Sequence, residues 1–358
     1  MPKMSWSFDV DIVGRCNLSC PSCPVGNMSG TPLQSGYMSP ELLDQIVGKA
    51  VSECNVTNFA LYNWTEPFIH PRLPEMIRTV KAHNIGCDIS TNLNLGKQVD
   101  AVVSANPDII KISVSGFNQK SYGTTHRGGN IELVKQNMQI LADAKSSHAS
   151  QTRVLVIFHR YLDNQDEETS MRKFASSLDF DFTTYWAYLM PLEKNLAFLD
   201  PNSSITQFTE QDKALVNKLA FPLEKALSIA RDENISQCRL RDNQMAINSE
   251  GKVMLCCSVF DQNKYLLADY LDTPLQKLQK MKHSHEMCTK CMQEGLHVMM
   301  TFGDNKLPRF AKLLEEMIRQ NVQDNNPELD VEKAYGPSFA KVSHLTRLKR
   351  KFRNTILR

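Results

Sequence analysis

An α/β fold is predicted by three observations. Short apolar strand-like segments alternate with amphipathic helical stretches from residue 8 to about residue 190. The alternation repeats six times without interruption. The chain, 358 residues with 42% hydrophobic content, is long enough for one large domain or for a medium domain and a small one. The strand candidates are Phe8–Val13, Asn58–Tyr62, Gly86–Ser90, Ile109–Val114, Val154–Phe158 and Phe182–Tyr188. Helical candidates between them include Pro40–Cys54, with Ser39 as its N-cap, then Leu73–His83 and Ile131–Lys145. Six β–α units in a row argue for parallel strands with helices outside, hence an α/β barrel or an open sheet. In a parallel barrel, sites collect at the C-terminal ends of strands.

The rest of the chain reads as three further parts. Residues 196–236 are a helical connector, with helical patterns at Gln207–Val216 and Glu224–Arg231. A small module spans 237–300, where Asn248-Ser249-Glu250-Gly251 reads as a hairpin turn. Residues 301–358 are a C-terminal extension. Within it, 322–338 are polar with two prolines and read as a loop or linker. Residues 341–358 carry seven Lys/Arg and no acid, and form the candidate basic helical tail.

Net charge is +2, so no general attraction to nucleic acid is expected. No apolar run is long enough for a transmembrane helix, and the first residues lack a signal-peptide pattern. A cytoplasmic location is expected, where thiols stay reduced. The ten cysteines are clustered: three at 16, 20 and 23, five between 238 and 291, with Cys54 and Cys87 alone. Clustered cysteines in such a chain point to metal or redox chemistry, whereas Cys54 and Cys87 read as core residues.

Cys16-x3-Cys20-x2-Cys23 follows the first strand. Three thiolates on one short loop can bind three irons of a [4Fe–4S] cube and leave the fourth open to an amine and a carboxylate. A zinc knuckle is the alternative for such a cluster taken alone. The spacing and its place after strand one resemble the radical S-adenosylmethionine (SAM) superfamily. That resemblance implies a partial (β/α)6 TIM-like barrel over residues 1–195. It implies SAM held on the open iron, reductive cleavage to a 5′-deoxyadenosyl radical, hydrogen abstraction from substrate, and a flavodoxin or ferredoxin-type electron donor.

Further segments follow the barrel order. Asn63-Trp64-Thr65-Glu66-Pro67 is similar to the family's Gly-Gly-Glu-Pro segment, which holds the SAM amino group; Thr65 replaces a glycine. Ser113-Val114-Ser115-Gly116 resembles the ribose-contact segment, which assigns Ser113 and Ser115 to cofactor binding. Arg127 lies where relatives place a cation for the SAM carboxylate, a task that suits a guanidinium. Asn164, with Glu167 three residues on, is a further cofactor contact by the same resemblance. One departure stands out. Ser22 occupies the place before the third cysteine where the family carries an aromatic near adenine.

The hairpin brings Cys238 toward Cys256, and Cys288-x2-Cys291 supplies two more thiols. Four thiolates would fully ligate a second, auxiliary [4Fe–4S] cluster. The pattern resembles the twitch form of the SPASM-type extension, with a four-cysteine zinc site as the alternative. Cys257 is a candidate hydrogen-atom donor for an epimerase or a packed, unreactive thiol. In the tail, Leu345, Leu348, Phe352 and Ile356 fall near one face among arginines and lysines, a pattern for a peripheral membrane surface or an acidic partner.

Three functions are distinguished. The first is a radical SAM oxidoreductase or isomerase acting on a small polar molecule of sugar or aminocyclitol type, as resemblance to 2-deoxy-scyllo-inosamine dehydrogenase implies. The second is a peptide-modifying maturase, against which stand the mere fifteen residues before Cys16. The third, a non-enzymatic electron-transfer protein, is disfavoured by the SAM-pocket segments. For the general base, His159, Arg160 and Tyr188 lie near strand ends.

Overall fold

The structure, a computed structural model, describes residues 5–28, 30–31, 36–202, 204–301 and 307–335. The basic segment 341–358 lies outside the described residues.

Strict alternation along the strands decides which face meets the helices. In β1 (Ser5–Val10), Trp6, Phe8 and Val10 are buried while Ser7 and Asp9 point the other way. The same period runs through β3 (Gly86–Thr91), β4 (Ile109–Val114) and β5 (Arg153–Arg160); β2 (Asn55–Ala60) buries both Phe59 and Ala60 at its end, and β6 (Asp181–Trp186) completes the set. Their outward residues, such as Phe59, Ile89, Ile112 and Val156, form one core with the intervening helices. Those helices are α1 (Pro24–Asn27), α2 (Pro40–Glu53), α3 (Leu73–Ala82), α4 (Val99–Ser104), α5 (Gln119–Thr125), α6 (Ile131–Ser147) and α7 (Gln165–Ser177). Ser39 caps α2 by accepting from the Leu42 amide at 3.1 Å, as its sequence predicts. The six strands pair in parallel and in chain order, giving the partial (β/α)6 TIM-like barrel.

The connector consists of α8 (Leu192–Leu199), α9 (Glu210–Val216) and α10 (Leu223–Asp232). It leads through α11 (Arg239–Asp242) into β7 (Gln244–Ile247) and β8 (Lys252–Met254). The turn between these strands is the predicted one, with Gly251 at φ 79°. After α12 (Gln262–Tyr265) comes β9 (Leu266–Asp269). The hairpin module does not make a sheet of its own. β7 pairs in parallel with β1, from Ser7↔Gln244 to Val10↔Ile247, and β8 and β9 follow antiparallel. This covers β1, which would otherwise be an open sheet edge.

Helices α13 (Leu275–Ser284), α14 (Glu286–Gln293), α15 (Leu296–Thr301), α16 (Pro308–Asn325) and α17 (Val331–Tyr335) complete the described chain. The expected linker at 322–338 is corrected here: α16 runs through Asn325 and α17 begins at Val331. The reason is an apolar stripe. Phe310, Leu314, Ile318 and Val322 are buried at helical spacing against a second core, which Val331 also joins.

That second core encloses Glu193 in the first turn of α8. One carboxylate oxygen accepts from the amides of Phe260 (2.8 Å) and Asp261 (3.0 Å); the other is buried without a partner. Burial pushes the carboxyl up to about 7 from 4.5. Between these values the folded state binds a proton that the unfolded chain has released. Stability from this group therefore falls as pH rises from about 4.5 through 7. Glu193→Gln should match the parent near pH 4 and exceed it at pH 8 by about 3 kcal/mol, read as a higher melting temperature.

Candidate functional site

The loop after β1 carries the first cysteines. Cys23 donates its amide to the Cys20 carbonyl at 3.0 Å, and α1 starts directly after it with Pro24 at its first position. Gly26 is required: a Cβ there would lie 2.2 Å from the Cys20 carbonyl oxygen. Asn27 clamps the loop by donating to the carbonyls of Pro21 (2.9 Å) and Met190 (2.7 Å). The Ser19 amide donates to the Arg127 carbonyl at 3.0 Å. Burial pushes Cys16 up to about 11, with the charges of Glu66 and Asp11 adding to it; burial and then the charges of neighbouring thiols push Cys20 up to about 12 and Cys23 higher still. Three mutually interacting thiols in one partly buried loop fit an iron–sulfur cluster, which binds them in place of their protons.

The loop after β2 is held by an aspartate that the sequence reading did not single out. Asp11 Oδ1 accepts from the amides of Asn63 (3.0 Å), Trp64 (3.1 Å) and Thr65 (3.1 Å) and from the Thr65 hydroxyl (2.5 Å). The substituted Thr65 thus spends its side chain on Asp11. Glu66 is buried and accepts from the amides of Phe68 (3.0 Å) and Asn92 (2.8 Å) and from the Thr91 hydroxyl (2.8 Å). Burial pushes it up to about 7. Trp64 reaches the other module, donating its indole N–H to the Val259 carbonyl at 3.0 Å.

The remaining predicted cofactor residues gather at the strand ends. Ser113 lies on the inner face of β4. Ser115 is buried, hydrogen-bonded to Thr125 and to His126 Nδ1 (2.7 Å). Burial first, and His159 second, push His126 down to about 3, so that ring is neutral. Arg127 is exposed, and its charge acts on Cys20. Among the described residues no carboxylate pairs with it. Asn164 donates to the carbonyls of Ser115 and His159, both at 2.8 Å, while Glu167 accepts from the amides of Phe117 and Asn118. Both side chains brace the segment after β4.

An aromatic does approach Ser22, from the end of β5: Tyr161 donates its hydroxyl to Ser22 Oγ at 3.2 Å. Arg160 is ion-paired with Glu168 at 2.6 Å and lies over the rings of Trp186 and Tyr335, which leaves it no role as a base. Burial lowers His159 to about 4 and raises Tyr188 to about 12. Cys54 and Cys87 are core residues, as expected.

Cys238, Cys256, Cys288 and Cys291 line a single small cavity between β8, the start of α11, and α14. Cys288 and Cys291 share one face of α14 through their three-residue spacing. Cys257 does not line this cavity; its thiol donates to Gln244 Oε1 at 3.1 Å. Among the described residues no three His, Cys, Asp or Glu side chains are grouped to hold one metal ion. Four thiols around one cavity are the ligand types of either a four-cysteine zinc site or a [4Fe–4S] cluster.

The inner face of the barrel is charged. Lys111 on β4 donates to Asp88 Oδ2 and to the Tyr62 hydroxyl, both at 2.9 Å. Gln244 on β7 donates to Asp9 Oδ2 at 2.6 Å. Asp9 is pushed up to about 7, mostly by burial, against the opposing charge of Lys111. A signal for these groups was present in the sequence: Phe8-Asp9-Val10-Asp11-Ile12 alternates apolar and acidic along the end of β1 and just past it. No helix among the described residues is long and apolar enough to cross a membrane.

Residues 10–170 match the family model of the Radical SAM superfamily. A probable GTP 3′,8-cyclase from Methanococcus maripaludis (strain C5) is 31% identical over 137 residues, covering 37% of this chain and 44% of the relative. The GTP 3′,8-cyclase of Lactiplantibacillus plantarum is 23% identical over 210 residues, covering 55% of this chain and 60% of the relative. The chain thus spans about half the length of these relatives. In fold it is similar to Streptococcus suis SuiB bound to S-adenosylmethionine (TM-score 0.53, 11% identity, 81% of this chain and 68% of that one). It is also similar to anSMEcpe with bound AdoMet (TM-score 0.50, 16% identity, 79% and 82%). The three-cysteine loop lies inside the matched segment, so residues 10–170 carry the radical SAM domain pattern together with its cysteine loop.

Proposed function

We propose that this chain is a radical SAM enzyme acting on a small, polar, uncharged or amine-bearing substrate of sugar or aminocyclitol type. Cys16, Cys20 and Cys23 hold the SAM-binding [4Fe–4S] cluster. Residues 237–300 form a twitch-like domain whose Cys238, Cys256, Cys288 and Cys291 hold an auxiliary [4Fe–4S] cluster. Thr65, Glu66, Ser113, Ser115, Arg127 and Asn164 shape the SAM pocket. Several of them do so by bracing the loops around it, and Tyr161 supplies the aromatic that Ser22 lacks. When bound, the cluster and SAM supply reductive sulfonium cleavage and hydrogen-atom abstraction.

The observation that carries the substrate class is the inner face of the barrel. Parallel barrels ordinarily fill this space with branched apolar side chains. Here Asp9, Asp11, Tyr62, Asp88 and Lys111 stand on it or at its rim, and charges inside a fold are costly unless paired or wet. With Asp11 engaged by the loop after β2 and Lys111 paired with Asp88, the face offers Asp9 and Asp88 to hydroxyl and ammonium groups and, among the described residues, no spare cation to a triphosphate. That is the reason to prefer this reading over the nucleotide in the relatives' names.

For oxidation of an alcohol carbon, a group must take the hydroxyl proton. Asp9, with its carboxyl near 7, is the inner-face residue suited to that role. Epimerisation would instead draw a hydrogen atom from Cys257, which shares Gln244 with Asp9.

The test is anaerobic turnover with deuterated aminocyclitols, sugars, GTP and peptides, reading deuterium in 5′-deoxyadenosine. Transfer from an aminocyclitol or sugar is expected. Transfer only from GTP or a peptide would overturn the substrate class.

A further inference from the structure

Lys282, near the end of α13, is 1% exposed. Its ammonium donates to two backbone carbonyls, those of Leu240 (2.7 Å) and Gln244 (2.6 Å). Among the described residues no carboxylate pairs with it. A buried ammonium without a counter-charge is strongly disfavoured, because carbonyl dipoles replace only part of its hydration. The groups that do interact with it are thiols: Cys256, Cys257, Cys288 and Cys238. Three of these four line the cavity described above. Lys282 lies behind the cavity wall, bonded to the carbonyl of the lining residue Leu240, whereas the arginine that lines the cavity, Arg241, already has a partner, Asp242, at 3.0 Å. Burial disfavours the charged form of Lys282, and negative charge on the neighbouring cysteines favours it, so the ammonium and charged thiolates support one another.

We propose that Lys282 is the built-in counter-charge of the auxiliary cluster and sets its reduction potential. The inference rests on the four-cysteine assignment. A cluster with four thiolate ligands is anionic, and its reduced form carries one more negative charge than its oxidised form. A nearby cation in a buried site stabilises the reduced form more and so raises the potential. The two carbonyl bonds keep the charge in place. Leu240 lies two residues after Cys238 and Gln244 opens β7, so the same bonds tie the Cys238 turn to the sheet. Lys282 is thus a positioning and tuning residue, not a catalytic one.

The test uses the full chain carrying Cys16→Ala, Cys20→Ala and Cys23→Ala, so that only the auxiliary cluster reports. Its midpoint potential is read by redox titration followed by electron paramagnetic resonance, with Lys282 kept, replaced by Gln, or replaced by Arg. Lys282→Gln retains hydrogen-bond donors but loses the charge; Lys282→Arg retains the charge. The Gln variant should be harder to reduce by tenfold or more in the equilibrium constant, about 59 mV lower for a one-electron couple. The Arg variant should stay close to the parent. Equal potentials in all three, or equal displacement of both variants, would overturn the role of the charge. If the triple-alanine background binds no iron, the four-cysteine assignment fails first and the inference falls with it.

Discussion

Asp11→Ala should lower SAM affinity by about a hundredfold or more, while leaving the iron bound by the two cysteine sites in place. The carboxylate is the hub of the loop after β2. One oxygen accepts three amides and a hydroxyl, from Asn63, Trp64 and Thr65. Bonds to a charged acceptor are about twice as strong as neutral ones, and each partly buried donor left unpaired costs about 1–3 kcal/mol. Removing the hub frees the segment that the resemblance assigns to the SAM amino group. Total stability should drop by about 2–4 kcal/mol, since water can reach some of the freed amides. Asp11→Asn keeps an acceptor oxygen in place and should retain most of the affinity. Equilibrium binding of SAM to the anaerobically reconstituted variants, with iron counted in parallel, separates the two. Equal affinity in parent and alanine variant would show that this loop does not hold SAM.

The contrast between Asp11 and the three cysteines shows what a sequence displays and what it hides. Cys16, Cys20 and Cys23 are legible because cluster ligation needs one residue type at short, fixed spacing. Strand periodicity was equally legible: Ile109–Val114 is found as read, and the other strands differ by a few residues at their ends. Those errors fall at strand ends, where pairing with a neighbour rather than composition decides the boundary. β1, for example, begins at Ser5 because Ser5 and Trp6 pair with Asn55 and Val56. The 322–338 segment was misread for a related reason. Its polar residues dominate the local composition, but Val322 and Val331 are fixed by a core assembled from distant parts of the chain.

The site's supporting residues were harder to see. Asn164 and Glu167 carry the resemblance of cofactor contacts, yet their side chains are occupied with the carbonyls and amides of the segment after β4. Tyr161 is 139 residues from Ser22 in sequence and meets it only through the closure of β5 toward the cysteine loop. Lys282 looks like an ordinary helical lysine until its burial is known. Such roles depend on long-range contacts, which no local pattern encodes.

The four cysteines of the hairpin module were legible as a group but not as a place. Its hairpin continues the barrel sheet beyond β1, so Gln244 can touch both Asp9 and Cys257. Gln244 therefore joins the inner face of the barrel to Cys257, the neighbour in sequence of the cavity residue Cys256.

The most direct measurement is iron and 5′-deoxyadenosine together, before and after Cys16→Ala, Cys20→Ala and Cys23→Ala are combined. The reconstituted parent should hold about eight irons per chain and release 5′-deoxyadenosine from SAM under dithionite. The triple variant should keep about four irons and release none. A triple variant that keeps all its iron, or still cleaves SAM, would contradict the assignment of these three cysteines to the SAM-binding cluster.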